Sequence, residues 1–289
     1  MILCPYTRPD EKAGGYHADV LLRLGMVTVA VAVLAIAVGC GGAQVNSGPT
    51  QTDTKPPPTV AKLRPTVVAQ IPHDPAAATE GLEIDGPNLY ESTGKVGQSQ
   101  LLELDPATGG VRRAVPLPSN YFGEGIAVVG DHIWQLTYRN GIAIEWDKAT
   151  LTRVREVPMS GEGWGLCWDG TRLVQSDGTS RLHFRNAADF TEIGSVPVTT
   201  PDGRPMNGLN ELACVNGQVW ANILPTDLIA RIDPGTGLVT AGVDAHGLLS
   251  GPRAKDAVLN GIANVDSQTF LVTGKYWPSM FRVRFQPAN

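Results

Sequence analysis

Five short segments of the sequence place a carboxylate or an amide side chain at a recurring position. They follow one another at intervals of about 40–50 residues, a period typical of solenoid and propeller folds. Carboxylates that are held close together raise one another's pKa, so that one of them keeps a proton near neutral pH and acts as a general acid–base. The candidate side chains are Glu80, Glu124, Glu162, Glu211 and Asn260.

Each of these segments leads into an apolar stretch, a Gly or Asx turn and further β-rich stretches. The pairs Gly130-Asp131 and Asn216-Gly217 are such turns, and turn pairs between alternating stretches favour β-hairpins. Four stretches per repeat, without a long helical periodicity, predict an all-β fold, a five-bladed β-propeller with four antiparallel strands per blade. The alternative, a β-sandwich of unrelated hairpins, does not account for the equal positioning of the five segments.

The two ends of this domain predict how the ring closes. The last repeat lacks a fourth strand, whereas Thr66-Val67-Val68-Ala69 precedes the first repeat and has no blade of its own. We therefore expect this N-terminal strand to pair with the last blade, which leaves no sheet edge open.

The first strand of every blade of a propeller lines the central channel, so the five candidate side chains are expected around one mouth. The alternative for any single glutamate is a hydrogen bond to the neighbouring blade. Lys275, Trp164 and Trp277 lie in segments that reach the same mouth, and they are candidates for a cation and for pocket walls. A solvated loop lysine and tryptophans packed within the blades are the alternatives.

The N-terminal part of the chain divides into a leader over 1–39 and a tether over 40–65, before a catalytic domain over 66–289. Residues 26–38 are apolar, follow Arg23 and are too few to span a bilayer. With Gly39-Cys40 they resemble a bacterial lipoprotein signal, in which Cys40 is lipidated. An ordinary secretion signal and an uncleaved anchor are the alternatives. Residues 40–65 are rich in Gly, Pro and Thr and predict a flexible tether.

Composition and charge indicate where the protein is located in the cell and which partners it binds. We expect an exported monomer, anchored by lipid on the outer side of the cytoplasmic membrane in the cell envelope. The net charge of −5 excludes a basic surface for nucleic acid. Outside the cytoplasm Cys167 and Cys214 are either bonded to each other or buried as free thiols. No metal and no cofactor is expected, since the histidines are scattered: His73, His132, His183 and His246.

From about Val67 to Phe285 the chain resembles the glutamine cyclotransferases of plants and bacteria. The resemblance implies a five-bladed propeller that converts the N-terminal Gln of peptides or proteins to pyroglutamate and releases ammonia. The motifs that carry it lie in all five repeats: Thr79-Glu80-Gly81-Leu82, Phe122-Gly123-Glu124-Gly125, Glu162-Gly163-Trp164-Gly165-Leu166, Ser176-Asp177-Gly178-Thr179, Leu209-Asn210-Glu211-Leu212, Val219-Trp220-Ala221-Asn222 and Val272-Thr273-Gly274-Lys275-Tyr276-Trp277-Pro278.

The same resemblance implies roles for individual residues. Glu124 matches the glutamate to which the family's proton transfer is attributed, and Asn210 and Lys275 would polarise the carbonyl oxygen. Glu80, Gln135 and Glu162 would bind the amine and the side-chain amide, between walls formed by Trp164 and Trp277. Glu211 and Asn260 complete the expected substrate-binding set. The sequence departs from the family at Ala76-Ala77-Ala78-Thr79, where an aromatic residue is usual, so we expect one wall of the pocket to be thinner.

Two other functions fit the same acidic mouth. A lactonase-like propeller hydrolase would hold Ca²⁺ with oxygen ligands, for which Glu80, Glu211 and Asn260 are available. A non-catalytic propeller displayed at the cell surface would use the mouth to bind a partner. The converging carboxylates favour a catalytic function over this non-catalytic one.

Overall fold

The computed structural model describes residues 59–254 and 256–288, and this part of the chain is built from β-strands and turns without helices. It therefore contains no helix long and apolar enough to cross a membrane. The leader, Cys40 and most of the tether lie outside the described residues.

The strands form three four-stranded antiparallel sheets and one eight-stranded sheet. Sheet 1 contains β2 (Thr79–Asp85), β3 (Asn88–Thr93), β4 (Gln100–Leu104) and β5 (Val111–Pro116). Sheet 2 contains β6 (Gly123–Val129), β7 (His132–Thr137), β8 (Ile142–Asp147) and β9 (Thr152–Pro158). Sheet 3 contains β10 (Leu166–Trp168), β11 (Leu173–Gln175), β12 (Arg181–Arg185) and β13 (Glu192–Pro197). The four predicted strands per repeat are thus confirmed for the first three repeats.

Sheet 4 combines the last two repeats with the N-terminal strand. Its order is β14-β15-β16-β17-β1-β20-β19-β18. These strands are β14 (Leu209–Val215), β15 (Gln218–Ile223), β16 (Leu228–Ile232), β17 (Val239–Asp244), β1 (Ala61–Pro72), β20 (Ser279–Pro287), β19 (Thr269–Gly274) and β18 (Leu259–Asp266).

The N-terminal strand pairs with the last repeat, as the sequence predicts, because β1 runs antiparallel to β20. It begins earlier than expected, however, at Ala61 within the stretch assigned to the tether. Residues Ala61 to Leu63 pair in parallel with β17, and Leu63 packs on the core between the last two repeats. These added backbone hydrogen bonds and this buried contact explain why the ordered strand begins before residue 66.

The core lies between neighbouring sheets, and the first strands of the repeats form its centre. Strands β2, β6, β10, β14 and β18 contact one another in this order, and β18 contacts β2. Between sheets 1 and 2, for example, Tyr90 and Leu101 pack against Ile126 and Ile144. Each first strand therefore lies between two others, and its starting residues converge with theirs.

A disulfide joins the first strands of two neighbouring repeats. Cys167 on β10 and Cys214 on β14 are bonded, with their Cα atoms 5.5 Å apart. Of the two alternatives for these cysteines, the structure therefore has the bond.

Glycine is required where the first strands approach each other most closely. A Cβ atom on Gly165 would lie 2.1 Å from the backbone oxygen of Asn210 and 2.7 Å from the Cα of Glu211. On Gly242, in β17, it would meet no atom within 4 Å.

We expect Gly165→Ala to lower the free energy of unfolding by about 1–3 kcal/mol, because backbone atoms must move to admit the methyl group. The matched control Gly242→Ala should equal the wild type or gain about 0.4–1 kcal/mol. Chemical denaturation of both variants measures the difference, and equal stabilities would contradict the close approach of β10 and β14.

Candidate active site

The register of the strands identifies which site residues occupy equivalent positions. Five fully buried residues, one on each first strand, pair with the equivalent residue of the second strand: Leu82, Ile126, Leu166, Leu212 and Ile262. The residues two positions before these therefore occupy the same structural position in each repeat and form one ring: Glu80, Glu124, Trp164, Asn210 and Asn260.

The predicted ring of acids is thus wrong at two positions. Glu162 lies two residues before the ring position of its repeat, and Glu211 lies one residue after it. Glu211 occupies the place of Gly81, Gly125 and Gly165 in the other repeats. The short Gly-Glu-Gly motif recurs out of register, because the chain before β10 and β14 takes an irregular course that the motif alone does not reveal.

Glu80 forms the central ion pair of the ring. Its carboxylate oxygens lie 2.6 and 2.8 Å from Nζ of Lys275, and Asn260 donates a hydrogen bond to it at 3.2 Å. Asn260 also donates to the backbone oxygen of Thr79 at 2.8 Å. Burial raises the pKa of Glu80, and the charge and hydrogen bond of Lys275 oppose that rise. The net pKa of Glu80 is raised, and the lysine that favours its ionised form reaches it from the last repeat.

Glu124 lies beside this pair without a salt bridge of its own among the described residues. Burial raises its pKa well above the usual range, and the charges of Glu80 and Glu162 raise it further, whereas Lys275 lowers it. The same two glutamates, Glu80 and Glu124, raise the pKa of Lys275 against the effect of its burial. One ammonium group thus faces two buried carboxyl groups. Of the two, Glu124 is the one whose pKa burial and like charges raise well above the usual range.

Glu162 stands at the rim and orients an aromatic ring. Its Oε1 accepts a hydrogen bond from Nε of Arg139 at 2.6 Å, and its Oε2 accepts one from the indole N–H of Trp164 at 3.0 Å. The Trp164 ring lies over Gly178, where a Cβ atom would come within 2.6 Å of it. Trp164 is therefore held over Gly178 by Glu162, and its role as a wall of the site stays a prediction.

Two further aromatic residues continue this wall, and neither was among the predicted site residues. The rings of Phe122 and Tyr138 are 5.8 Å apart, and those of Tyr138 and Trp164 are 6.3 Å apart. Phe122 lies over Gly94, beside Glu80. Gly94 in turn donates to the backbone oxygen of Ala78 at 2.8 Å, so Phe122 lies near Ala76-Ala77-Ala78-Thr79, where the thinner wall stays a prediction. The place of Phe122 directly before Gly123-Glu124 was the available sequence signal.

Glu211 makes its hydrogen bonds within the ring of first strands rather than at the mouth of the channel. Its fully buried carboxylate accepts the backbone N–H groups of Leu82 at 3.1 Å and of Ile262 at 2.8 Å. Burial raises its pKa well above the usual range, although these two hydrogen bonds oppose the rise. Both oxygens are engaged across three first strands, so the predicted role in substrate binding is replaced by a role in closing the ring.

Gln135 and Trp277 are likewise engaged in packing. The Gln135 amide donates to the hydroxyl of Ser92 at 2.7 Å and accepts from the indole of Trp146 at 3.0 Å, with no exposed surface. Trp277 is 1% exposed, and its ring folds back onto Gly274. Both side chains are as buried as Glu80, and the substrate contact predicted for Gln135 and the wall predicted for Trp277 stay predictions.

The two asparagines of the ring leave acceptors without partners. Oδ1 of Asn210 and Oδ1 of Asn260 are buried and accept no hydrogen bond from any described residue. Buried polar atoms are nearly always satisfied, by protein or by water. Two unsatisfied amide oxygens in this ring, one of them on the Asn260 that contacts Glu80, are suited to receive N–H groups of a bound molecule.

Comparison with known proteins identifies the family of this chain. A family model described as glutamine cyclotransferase matches residues 34–285. The chain belongs to the glutamine cyclotransferase family. It is 38% identical over 231 residues to the glutaminyl-peptide cyclotransferase of Arabidopsis thaliana, which covers 77% of this chain and 72% of that protein. The solved structure of the Myxococcus xanthus glutaminyl cyclase matches with a TM-score of 0.73 and 35% identity, over 80% of this chain and all of the other.

The raised pKa of Glu124 predicts how the stability of this protein depends on pH. A carboxyl group with a folded-state pKa above its unfolded value contributes stability below the unfolded pKa, and this contribution is lost as the pH rises through the folded pKa. Gln resembles the neutral acid and does not ionise. We therefore expect Glu124→Gln to melt at a higher temperature than the wild type at pH 8 and at a similar temperature at pH 4.

Thermal melts followed by circular dichroism at several pH values measure this difference. Glu162→Gln is the control, because the Glu162 side chain is 31% exposed and already paired with Arg139. Parallel pH dependence of melting in the wild type and Glu124→Gln would show that Glu124 does not hold a proton in the folded protein.

Proposed function

We propose that this protein is a glutaminyl-peptide cyclotransferase, which converts the N-terminal Gln of peptides or proteins to pyroglutamate. The α-amine nitrogen attacks the side-chain amide carbon, a C–N bond forms, and the C–N bond to the leaving nitrogen breaks to give ammonia. The observation that carries the proposal is the buried group of Glu80, Glu124 and Lys275 in a member of the glutamine cyclotransferase family.

Glu124 is the proposed catalytic acid–base. A peptide α-amine has a pKa near 8, so its neutral, nucleophilic form is populated near neutral pH, and Glu124 enters the reaction protonated. Glu124 gives its proton to the leaving nitrogen, and the attacking nitrogen, now bonded to carbon, gives one back. Glu124 thereby returns to its starting state, and one proton has moved from one nitrogen to the other.

The other residues of the site hold the reacting groups. Lys275 and the Asn210 amide are the proposed donors to the oxygen on which negative charge develops. Glu80 binds the amine and keeps Lys275 in place, and the free Oδ1 atoms of Asn210 and Asn260 accept N–H groups of the substrate. Trp164, Phe122 and Tyr138 enclose the folded glutamine side chain, which favours the conformer that cyclises.

The contacts of the site argue against the calcium-dependent hydrolase. Of its three candidate ligands, Glu80 is paired with Lys275 and Glu211 accepts two backbone N–H groups. Neither carboxylate has the free oxygen that Ca²⁺ would need. A purely binding protein would gain nothing from a buried carboxyl group that keeps a proton beside an ammonium group.

We further propose that the domain is a five-bladed propeller, with sheet 4 counted as two blades joined through β1. The cyclic contacts of the five first strands support this count. For the whole protein we propose a monomer that is exported and anchored by lipid at Cys40. Strand β1 begins beside the end of β20, on the side away from Glu80 and Lys275. A tether that enters there leaves the mouth accessible to peptides.

Activity is tested by incubating residues 60–289 with Gln-containing dipeptides and measuring ammonia. We expect Glu124→Gln to fold and to lose about 10²–10⁴ in rate, the usual contribution of general acid–base catalysis. Lys275→Ala should lose less of the rate than Glu124→Gln does. The control Glu156→Gln, on the outer strand β9, should retain activity.

Near-wild-type turnover of Glu124→Gln would remove this residue from the mechanism. A larger loss in Lys275→Ala than in Glu124→Gln would mean that stabilisation of the oxyanion outweighs proton transfer.

A further inference from the structure

A second buried ion pair lies directly behind the site, and the mechanism above does not use it. His73 follows β1, and Glu91 lies on β3. Nε2 of His73 is 3.0 Å from Oε1 of Glu91, and each side chain is 2% exposed. The hydroxyl of Thr79 donates to the same carboxylate oxygen at 2.7 Å.

The partners of His73 require protons on both ring nitrogens. Nδ1 lies 2.6 Å from the backbone oxygen of Trp277, which only accepts hydrogen bonds, and Nε2 faces a carboxylate. Burial alone would lower the pKa of His73, but the hydrogen bond and charge of Glu91 outweigh it, with a smaller contribution from Asp74, so the pKa is raised. The imidazolium thus donates in two directions, to β3 and to the segment that follows β19.

This network ties together the chain segments that carry Glu80 and Lys275. The backbone N–H of His73 donates to the oxygen of Pro278 at 3.0 Å, and that of Tyr276 donates to the oxygen of Ala77 at 2.7 Å. Tyr276 itself has a φ of 60°, a left-handed conformation that a non-glycine residue keeps only when its neighbours hold it. The segment over 274–278 is therefore fixed from outside, and Lys275 lies within it.

We propose that His73 and Glu91 are positioning residues that hold the 274–278 segment so that the Lys275 ammonium rests on the Glu80 carboxylate. This inference rests on the proposed function for its consequence in catalysis, but the positioning itself is independent of it. Displacement of a catalytic group by about 1 Å costs up to ~10² in rate. A weaker contact with Lys275 also means that its ammonium group balances the negative charges of Glu80 and Glu124 less well.

A double-mutant cycle with Lys275 tests whether His73 acts through that lysine. We expect His73→Gln to lower kcat by about 10–100-fold in the wild-type background. In the Lys275→Ala background the same change should have almost no further effect, since the group that it positions is gone. The limb of the pH–rate profile that Glu124 controls should move to higher pH in His73→Gln. Losses that multiply in the double variant, with an unchanged pH profile, would overturn the proposal.

A second measurement does not depend on activity. The coupling between Glu80 and Lys275 is obtained by chemical denaturation of Glu80→Gln, Lys275→Ala and the double variant, and it should shrink when His73→Gln is added. Cyclisation without a change in coupling would overturn the positioning role and leave the proposed function standing. A reduced coupling in a protein that shows no cyclase activity would overturn the proposed function and leave the positioning role standing.

Matched variants separate this role from a general loss of structure. His132 lies 3.3 Å from Glu145, at the end of sheet 2 away from the site, and its side chain is 44% exposed. His132→Gln therefore removes a more exposed histidine–glutamate contact and should change neither kcat nor the coupling. If His73→Gln does not fold, Glu91→Gln takes its place, because it keeps the shape of the side chain and removes its charge. The same reduction in coupling is expected, and an unchanged coupling in that variant would overturn the proposal.

Discussion

Two buried carboxyl groups, Glu80 and Glu124, share one ammonium group, that of Lys275. Burial disfavours the ionised form of both acids, and Lys275 contacts only Glu80 directly. The arrangement therefore favours one ionised and one protonated carboxyl group. A proton that is kept in this way next to a site for an amine is what intramolecular aminolysis of an amide requires, since one proton must travel from the attacking to the leaving nitrogen.

The fold supplies this arrangement at the seam where the ring of strands closes. Glu80 comes from the first repeat and Lys275 from the last, 195 residues further along the chain. Strand β1 completes the last repeat, and His73 follows it directly, so the strand that closes the sheet also delivers the residue that braces the lysine segment. Glu211 adds to the closure, because its carboxylate joins β14 to the backbone of β2 and β18. Stability of the ring and geometry of the site thus depend on the same contacts.

The repeat and the turn residues predicted the strands well, because the period of the apolar stretches and the Gly and Asx turns are local properties. The positions of Glu80, Glu124 and Lys275 at one site followed from the repeat together with resemblance to the family. Glu162 and Glu211 were placed wrongly, since the register of the irregular chain before β10 and β14 depends on contacts with neighbouring strands. The packing contacts of Gln135 and Trp277 could not be predicted for a related reason: the direction of a side chain near a mouth is decided by tertiary packing. The start of β1 depended on β17, which lies far away in sequence.

The most direct test of this account is a titration of the glutamate side chains by carbon-13 NMR, in the wild type and in Glu124→Gln. We expect one carboxyl resonance of the wild type, absent from the variant, to titrate well above the ordinary glutamate value, because Glu124 is buried beside an ionised Glu80. A Glu124 resonance that titrates at or below the ordinary value would contradict the account, since no proton would then be held for transfer at neutral pH.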